Sequence, residues 1–356
     1  MTRQREASAF VQLDAATFLV MEGSLRPAVP AAAGSPVLLA PHFSLDPRDG
    51  WWWAGPQAPA RLARDDWRER FSRGPDAVAA LGWGPPEEAR FRAAFDSLQE
   101  RFAAGDLRKG VPITRSRAAL AGADARRLFE RLLARVADLP EGVIAYGLFL
   151  PGGRGGRRPE FIVGATPELL VEVEDGGRVR TMAVAGTRRD GADAAAGLEG
   201  SAKDRAEHEA VVEDLLAQLG RWGTAVPRPA AVRRFGTLHH LVTDIDLAPE
   251  APPDFEALVR TLHPTPALGV SPRGGAGAAW LRGIDEAGER RRFGAPFGVR
   301  WPSGAGRAIV AIRNVQYHDG HLEIWAGCGV VPASRYGEEW QEAQDKIAAV
   351  RTLWNL

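Results

Sequence analysis

The sequence predicts an α+β fold in which antiparallel sheets are flanked by helices. Most predicted strands come as hairpins, with turns at Asp175-Gly176-Gly177 and at Asp319-Gly320. Predicted helices separate groups of strands instead of alternating with single strands, and this order favours antiparallel sheets. The 356 residues are 45% hydrophobic and 25% charged, which is typical of a globular protein. Since we find neither an internal repeat nor an obvious linker, we expect one domain over residues 1–356.

The elements differ in how clearly the sequence marks them. In the N-terminal third, the apolar runs PVLLA and WWWAG are broken by Pro and Gly and predict short strands. Helices are predicted where apolar residues recur at helical spacing, and the first of them ends at Gly105, a plausible C-cap. The predicted helices cover residues 87–105, 124–139, 200–221, 253–263 and 337–354. The predicted strands cover residues 143–150, 160–165, 168–186 (a hairpin), 238–247 and 308–331 (a second hairpin).

Charge and cysteine content exclude several classes of protein. Lys+Arg and Asp+Glu both total 45, so the basic surplus of a typical nucleic-acid binder is missing. The single cysteine, Cys328, excludes an intramolecular disulfide and a cysteine-based zinc cluster. No signal-peptide pattern and no run near the roughly 20 apolar residues of a membrane span is present. We therefore expect a cytoplasmic protein without nucleic-acid or membrane partners. Its oligomeric state stays open, with a monomer as one alternative.

Two acidic helices are the first candidates for chemistry. Glu207 lies in the middle of one predicted helix, and Glu339 and Glu342 lie three residues apart on the closing helix. Carboxylates from two helices can meet at one point, and Mg²⁺ prefers such hard oxygen ligands. The alternative is a pair of amphipathic helices with solvated charged faces. P-loop, GxSxG and HExxH motifs are missing, so a nucleotide-binding function has little support.

A series of short motifs, from about residue 105 to the C-terminus, points to a known family. In chain order they are GDLRKGVPITRSR, VGATPELL, AVAGTRRDG, SAKDRAEHE, LHHLV, LHPTPALG, AIRNV, AGCGVVP and EEWQEAQDKI. The series resembles the chorismate-utilising enzymes, which include isochorismate synthase, salicylate synthase and the large chains of anthranilate and aminodeoxychorismate synthases. LHPTPA is most similar to the isochorismate synthase branch. Residues 1–104 form the divergent part of the predicted domain, and residues 105–356 carry the motifs.

The resemblance implies the anthranilate synthase large-chain fold, with large antiparallel sheets, surrounding helices and a Mg²⁺ site that receives chorismate. By position in the motifs, Glu207 and Glu342 would hold Mg²⁺, with Glu339 contributing, and Arg313 would bind a substrate carboxylate. Arginine's planar fork suits a bidentate grip on such a group. The other residues that the resemblance places in the substrate site are Gly186, Thr187, His240, His263, Gly327, Gly329 and Lys346.

The resemblance also implies an acid and a base. Lys109 matches the lysine that activates water in the water-using members, and Glu168 matches the acid that protonates the leaving hydroxyl. At neutral pH the lysine needs a lowered pKa and the glutamate a raised one, and burial produces both shifts. The apolar neighbours Val111, Pro112 and Ile113 are compatible with burial of the lysine.

The sequence leaves several functions open within this family. A Mg²⁺-dependent isochorismate synthase is the leading hypothesis; salicylate synthase, anthranilate synthase and a non-catalytic chorismate-fold binder are alternatives. Ala185 disfavours aminodeoxychorismate synthase, since relatives of that type carry a nucleophilic lysine there. Menaquinone and siderophore pathways both remain open. Residues 270–272, residues 293–301 and Cys328 depart from the family wording and are expected near the pocket.

Overall fold

The computed structural model describes residues 7–30, 33–71, 81–152, 158–191, 193–285 and 288–356. Its strands, in chain order, are β1 (Ala7–Gln12), β2 (Thr17–Glu22), β3 (Arg26–Pro27), β4 (Val37–Leu39), β5 (Trp52–Ala54), β6 (Ala60–Ala63), β7 (Lys109–Gly110), β8 (Ile113–Ala119), β9 (Ile144–Leu150), β10 (Glu160–Thr166), β11 (Leu169–Val173), β12 (Val179–Arg189), β13 (Gly223–Pro227), β14 (Ala231–Phe235), β15 (Leu238–Pro249), β16 (Val270–Ser271), β17 (Pro296–Arg300), β18 (Gly306–Val310), β19 (Asn314–His318) and β20 (His321–Gly327). The helices are α1 (Arg64–Phe71), α2 (Glu88–Ala103), α3 (Gly122–Leu133), α4 (Ala194–Gly200), α5 (Ala202–Leu219), α6 (Phe255–Leu262), α7 (Ala276–Gly283) and α8 (Tyr336–Trp354).

The strands form two large antiparallel sheets, which confirms the predicted α+β class. The first sheet has eight strands in the order β6-β2-β1-β9-β10-β19-β20-β8. The second has ten, in the order β13-β15-β12-β11-β18-β17-β4-β5-β3, with β14 pairing with β15 off this path. A separate ribbon pairs β16 with β7. Strands from the divergent N-terminal part lie in both large sheets, so this part is built into the same framework as the motif-bearing part.

The two sheets pack face to face and carry helices on their outer faces. A cluster between the sheets joins Val11 and Ile162 of the first sheet to Leu38 and Ile309 of the second. On the outer side of the first sheet, α1, α3 and α8 bury apolar side chains, including Trp67 and Trp354. Helices α5 and α6 do the same on the second sheet. Because both faces of each sheet are covered, central strands such as β10 are apolar throughout, with alternate side chains in different clusters.

The helices agree closely with their sequence patterns. Helix α5 begins after Ser201, whose side chain accepts a hydrogen bond from the Asp204 amide, as an N-cap serine is expected to do. The helix predicted at 124–139 is shorter than expected: α3 ends at Leu133, and a 3₁₀ turn covers Val136–Asp138. Across the described ranges, no helix combines the length and apolarity that crossing a bilayer requires.

Two of the points at which the chain passes from one large sheet to the other are neighbours. Strand β10 lies in the first sheet and β11 in the second, so the first crossing covers Pro167 and Glu168. Strand β18 lies in the second sheet and β19 in the first, so the second crossing covers residues 311–313. The hairpin predicted over residues 308–331 is present as β19 and β20, with its turn at Asp319-Gly320, but its first part, up to Val310, belongs to β18 of the second sheet. Arg313 has a φ of 56°, a left-handed conformation that ends the strand.

Candidate active site

The two crossings lie side by side and carry two of the predicted site residues. Strand β10 pairs with β19, and β11 pairs with β18, so the paired strands leave their sheets at the same place. The Val310 amide donates to the Glu168 carbonyl at 3.0 Å, and the Ala165 amide donates to the Arg313 carbonyl at 3.3 Å. The side chains of Glu168 and Arg313 consequently line one cavity at the seam between the sheets.

Most of the residues that the sequence analysis selected meet at this cavity. Those that line it are Glu168, Thr187, Glu207, His240, Arg313, Gly327, Gly329 and Lys346. Its space for water-sized molecules is about 60 Å³, well below the roughly 300–1,000 Å³ of ordinary ligand pockets. Thr187 also lines an adjoining outer cleft of about 820 Å³. A ring-sized ligand therefore requires some lining side chains to move apart.

Lys109 lies directly behind the cavity wall and is fully buried. Its backbone is held in β7, where Lys109 pairs with Ser271 of β16. Its ammonium donates to the Pro266 carbonyl at 2.6 Å and lies 3.7 Å from Oε1 of Glu207. A Cβ at Gly329 would overlap Glu207 and lie 2.7 Å from the Lys109 nitrogen, so glycine there permits the close approach. Burial lowers the Lys109 pKa, although the Glu207 carboxylate opposes this shift.

Glu168 is buried as well and titrates in the opposite sense. Desolvation raises the pKa of its carboxyl from 4.5 to about 8, although the ammonium groups of Lys109 and Lys346 act to lower it. At neutral pH the carboxyl is therefore mostly protonated. A buried amine with a lowered pKa and a buried carboxyl with a raised one are the electrostatic requirements for a base and an acid working near neutrality.

Arg313, His240 and Thr187 form a short chain of polar contacts at the cavity. The Arg313 guanidinium donates to Nε2 of His240 at 3.2 Å. Since arginine can only donate, Nε2 accepts, and the proton on Nδ1 is directed to Oγ1 of Thr187 at 3.1 Å. Burial, together with the charges of Arg313 and Lys346, lowers the His240 pKa well below its usual value, so the ring is neutral.

The Arg313 guanidinium is available for an anionic ligand. Burial lowers its pKa to about 10, which leaves it charged at neutral pH. No carboxylate of the described ranges forms an ion pair with it; Glu342 contributes only a longer-range attraction. A buried cation without a partner of opposite charge is suited to hold a carboxylate of a ligand.

Three glutamates from α5 and α8 face one another beside the cavity. The Lys203 ammonium lies 2.7 Å from Glu339 and 3.7 Å from Glu207, and Lys346 lies 2.7 Å from Glu342. Burial, with Glu342 and Glu207 nearby, raises the Glu339 pKa. Both of its buried carboxylate oxygens lack a partner with hydrogen-bond geometry.

These carboxylates match the chemistry of a hard divalent cation. Carboxylate oxygens from two facing helices are the donors that Mg²⁺ prefers. In the described ranges, however, no three acidic, histidine or cysteine side chains are already arranged around one point. The lysine ammonium groups lie among them, so cation binding requires these side chains to rearrange.

Five predicted residues do not line the cavity: Lys109, Glu339 and Glu342 lie next to it, and Gly186 and His263 have other places in the fold. His263 lies on the far side of the 263–273 segment, where its Nε2 donates to the Phe43 carbonyl at 2.7 Å. Gly186 has a φ of 75° and forms a bulge in β12 whose backbone packs against Asp204. The bulge shifts the pairing of β12 with β15 and places Thr187 opposite His240. Gly186 thus affects the site through the bulge that sets the position of Thr187. His263 instead connects its segment to Phe43 of the N-terminal part.

Sequence reasoning missed the apolar wall of the cavity. It includes Leu268, Phe293 and Trp325, and the last two rings are stacked with centroids 6.2 Å apart. Phe293 lies in the run 293–301, which departs from the family pattern and was expected near the pocket for that reason. Trp325 stands in the middle of an apolar strand, where its pattern is that of any core residue. Its indole donates to the buried Glu323 carboxylate at 2.9 Å, which orients the ring.

The model of the chorismate binding enzyme family matches residues 75–352, which is most of the chain. The chain belongs to the chorismate-binding enzymes. This chorismate-binding enzyme is 34% identical to the salicylate biosynthesis isochorismate synthase of Pseudomonas aeruginosa over 53% of the chain and 41% of that relative. It is 30% identical to isochorismate synthase EntC of Escherichia coli K12 over 66% of the chain and 59% of that relative. The chain thus spans about half the length of these relatives.

Solved structures show the same fold for this chorismate-binding enzyme. DhbC from Bacillus anthracis superposes with a TM-score of 0.79 at 23% identity, covering 99% of this chain and 97% of that one. The menaquinone-specific isochorismate synthase MenF of Escherichia coli superposes with a TM-score of 0.75 at 19% identity, covering 99% of this chain and 90% of that one. At these identities the likeness establishes the architecture, which includes the divergent N-terminal part.

Proposed function

We propose that the protein is a Mg²⁺-dependent isochorismate synthase, which adds water at C2 of chorismate with loss of the C4 hydroxyl. The observation that carries this proposal is a buried Lys109 amine directly behind the wall of a cavity that the buried Glu168 carboxyl lines, in a chorismate-binding fold. Relatives that are named isochorismate synthases support the choice of reaction.

Substrate binding falls to the cationic side of the cavity. Chorismate carries two carboxylates, and the unpaired Arg313 guanidinium grips one of them with two parallel N–H donors. Neutral His240 fixes the guanidinium from the side, because its Nε2 accepts one of the Arg313 hydrogens. Lys346 donates to the Gly327 carbonyl at 2.8 Å and so orients the backbone of the 327–329 loop that receives the same carboxylate.

The nucleophile is water, and Lys109 takes its proton. Burial favours the neutral amine, whose lone pair accepts a proton as the water oxygen bonds to C2. The carbonyl of Pro266 holds the amine in place during this step. Since Lys109 lies behind Glu207 and Gly329, the rearrangement that admits the substrate also exposes its nitrogen to the reacting water.

The leaving hydroxyl departs with a proton from Glu168. The carboxyl, whose pKa is raised to about 8, is protonated at neutral pH and donates to the C4 oxygen, which leaves as water. Both ring double bonds shift as the C2–O bond forms and the C4–O bond breaks. After release, proton exchange with solvent returns Lys109 to the amine and Glu168 to the acid.

Glu207 and Glu342 would hold the Mg²⁺ ion, with Glu339 as a further contributor. When bound, the ion neutralises and orients the second carboxylate of the substrate. Lys203 lies 3.7 Å from Glu207 and 2.7 Å from Glu339, so its ammonium offsets part of the repulsion between these two carboxylates. Ala185 lines the cavity and offers no nucleophile, which argues against the aminodeoxychorismate reaction.

Chelation of divalent cations is expected to stop turnover, and added Mg²⁺ is expected to restore it. Glu207→Gln should weaken Mg²⁺ binding, measured by calorimetric titration, by more than about tenfold, because it removes a charged oxygen ligand. Glu209→Gln is the matched control, since Glu209 is an exposed glutamate on the same helix. Equal Mg²⁺ affinity in the Glu207 variant and the control would contradict the assignment of the metal site.

Product analysis tests the proposed function directly. The protein is incubated with chorismate and Mg²⁺, and the products are separated by chromatography. Isochorismate without pyruvate supports the proposal. Fluorescent salicylate with pyruvate would instead identify a salicylate synthase, and ammonia-dependent anthranilate an anthranilate synthase. Chorismate binding without any product would identify a non-catalytic binder. The pathway that uses the product, menaquinone or siderophore synthesis, is a separate question.

A further inference from the structure

We propose that Tyr146 and Asn314 are positioning residues that hold the Arg313 turn in the shape that presents the guanidinium to the substrate. This inference rests on the proposed role of Arg313 as the carboxylate-binding residue. It begins from the backbone of the second crossing between the sheets. Arg313 is not a glycine, yet its φ is 56°, and such a conformation persists only where the surroundings determine it.

Two side chains determine the shape of this crossing through its carbonyl groups. The Asn314 amide donates one hydrogen to the Ala311 carbonyl at 2.7 Å and the other to the Tyr146 hydroxyl at 2.9 Å. The Tyr146 hydroxyl in turn donates to the Ile312 carbonyl at 2.9 Å. Three donors in a fixed relay therefore hold the two peptide units that precede Arg313.

The carbonyl of Arg313 itself is held by a different part of the fold. It accepts from the Ala165 amide at 3.3 Å and from the Trp354 indole at 3.5 Å. Every carbonyl of the crossing thus has a donor. The Ala311 carbonyl also accepts from the Gly294 amide at 2.8 Å, so Asn314 shares that carbonyl with the backbone. The Ile312 carbonyl, directly before Arg313, is held by the Tyr146 hydroxyl, and through this contact the relay acts on the direction in which the Arg313 side chain leaves the turn.

The relay is buried and closely fitted. Tyr146 and Asn314 are each 0% exposed. A Cβ at Gly164 would overlap the Tyr146 ring and hydroxyl, so glycine on the neighbouring strand makes room for the phenol. The Asn314 Oδ1 is buried without a hydrogen-bond partner.

Neither side chain lines the cavity, and both direct their polar atoms to the backbone of the crossing or to each other, so we assign them no contact with the substrate. Their effect must pass through Arg313, and two readouts separate this role from a general structural one. The first is local: the backbone of residues 311–314 should loosen when the relay is broken. The second is functional: substrate affinity should fall more than kcat, because Arg313 holds the substrate before and during the reaction.

Tyr146→Phe tests the relay while keeping the buried ring. We expect hydrogen exchange to become faster in a peptide that contains residues 311–314, and KM for chorismate to rise about tenfold with kcat changed much less. Tyr317→Phe is the matched control, since Tyr317 is on β19 of the same sheet with its ring stacked on Phe161. The control should leave both exchange in this peptide and KM at the wild-type values.

The outcomes distinguish this inference from the proposed function. Faster exchange with an unchanged KM, or unchanged exchange, in Tyr146→Phe would overturn the positioning role. Arg313→Met provides the second comparison, because it removes the guanidinium itself. If Arg313→Met raises KM strongly and Tyr146→Phe does not, only the inference fails. If Arg313→Met leaves KM unchanged, the role of Arg313 in the proposed function fails, and the inference fails with it.

Discussion

Replacement of Lys109 by methionine is expected to lower kcat by at least about a hundredfold, because general-base catalysis by a positioned side chain contributes roughly 10²–10⁴. Methionine is similar to lysine in length and shape and suits a fully buried position, so the fold should persist. What the variant lacks is the nitrogen that accepts the water proton. Steady-state conversion of chorismate, with product separation, measures the loss.

The control for this variant is its neighbour on the chain. Arg108→Met also replaces a long cation, but Arg108 is exposed and pairs with Glu213 at the surface. It should leave kcat and KM unchanged. Calorimetric Mg²⁺ titration of Lys109→Met shows whether the adjacent Glu207 still binds metal. Near wild-type turnover in Lys109→Met would show that another group, or water alone, accepts the proton.

Glu168→Gln is expected to have a loss of similar size, roughly 10²–10⁴ in kcat. Glutamine has the shape of the protonated carboxyl that predominates at neutral pH, so substrate binding and folding should be retained. It cannot give a proton to the leaving hydroxyl. Chorismate binding measured by calorimetry should therefore remain while turnover is lost. Loss of binding together with turnover would indicate that Glu168 contacts the substrate without acting as its acid.

The raised pKa of Glu168 predicts two pH effects. Activity should fall as pH rises through about 8, because the acid is then ionised. Stability should also fall between pH 4.5, near the ordinary pKa, and about pH 8, since over this range the folded state holds a proton that the unfolded chain has lost. Denaturant unfolding of the wild type and Glu168→Gln across this range checks the second effect. Parallel pH dependences in the two proteins would contradict the raised pKa.

The sequence predicted the class of fold and most helices because their patterns are local. Helix α5 has a serine N-cap and the closing helix α8 has an apolar stripe, and both lie within a few residues of their predicted bounds. The crossing at residues 311–313 could not be predicted in this way. The sequence has strand patterns on both sides of Arg313, apolar before it and alternating after it, and nothing in an arginine signals a positive φ. The contacts that hold this turn come from residues far away in the chain, such as Tyr146, which donates to the Ile312 carbonyl.

In the candidate site, too, some residues could be predicted from the sequence and others could not. Motif resemblance selected eight residues that line one cavity, because their order along the chain reflects a shared fold. It also selected His263, whose proline-rich neighbourhood turns the ring towards Phe43 instead. It passed over Lys203, although this lysine lies one helical turn before Glu207 and its ammonium reaches two of the proposed metal ligands. The position of Lys203 relative to Glu339 depends on the packing of α5 against α8, which are distant in sequence, so the sequence pattern does not reveal it.

The most direct test of the central claim is the fate of the water oxygen. Chorismate is converted by the protein with Mg²⁺ in water enriched in oxygen-18, and the isochorismate formed is analysed by mass spectrometry. If Lys109 activates water for addition at C2 while Glu168 expels the C4 hydroxyl, the product carries one oxygen-18 atom, at the C2 hydroxyl. Isochorismate that keeps only the oxygen atoms of the starting chorismate, or no conversion at all, would contradict it.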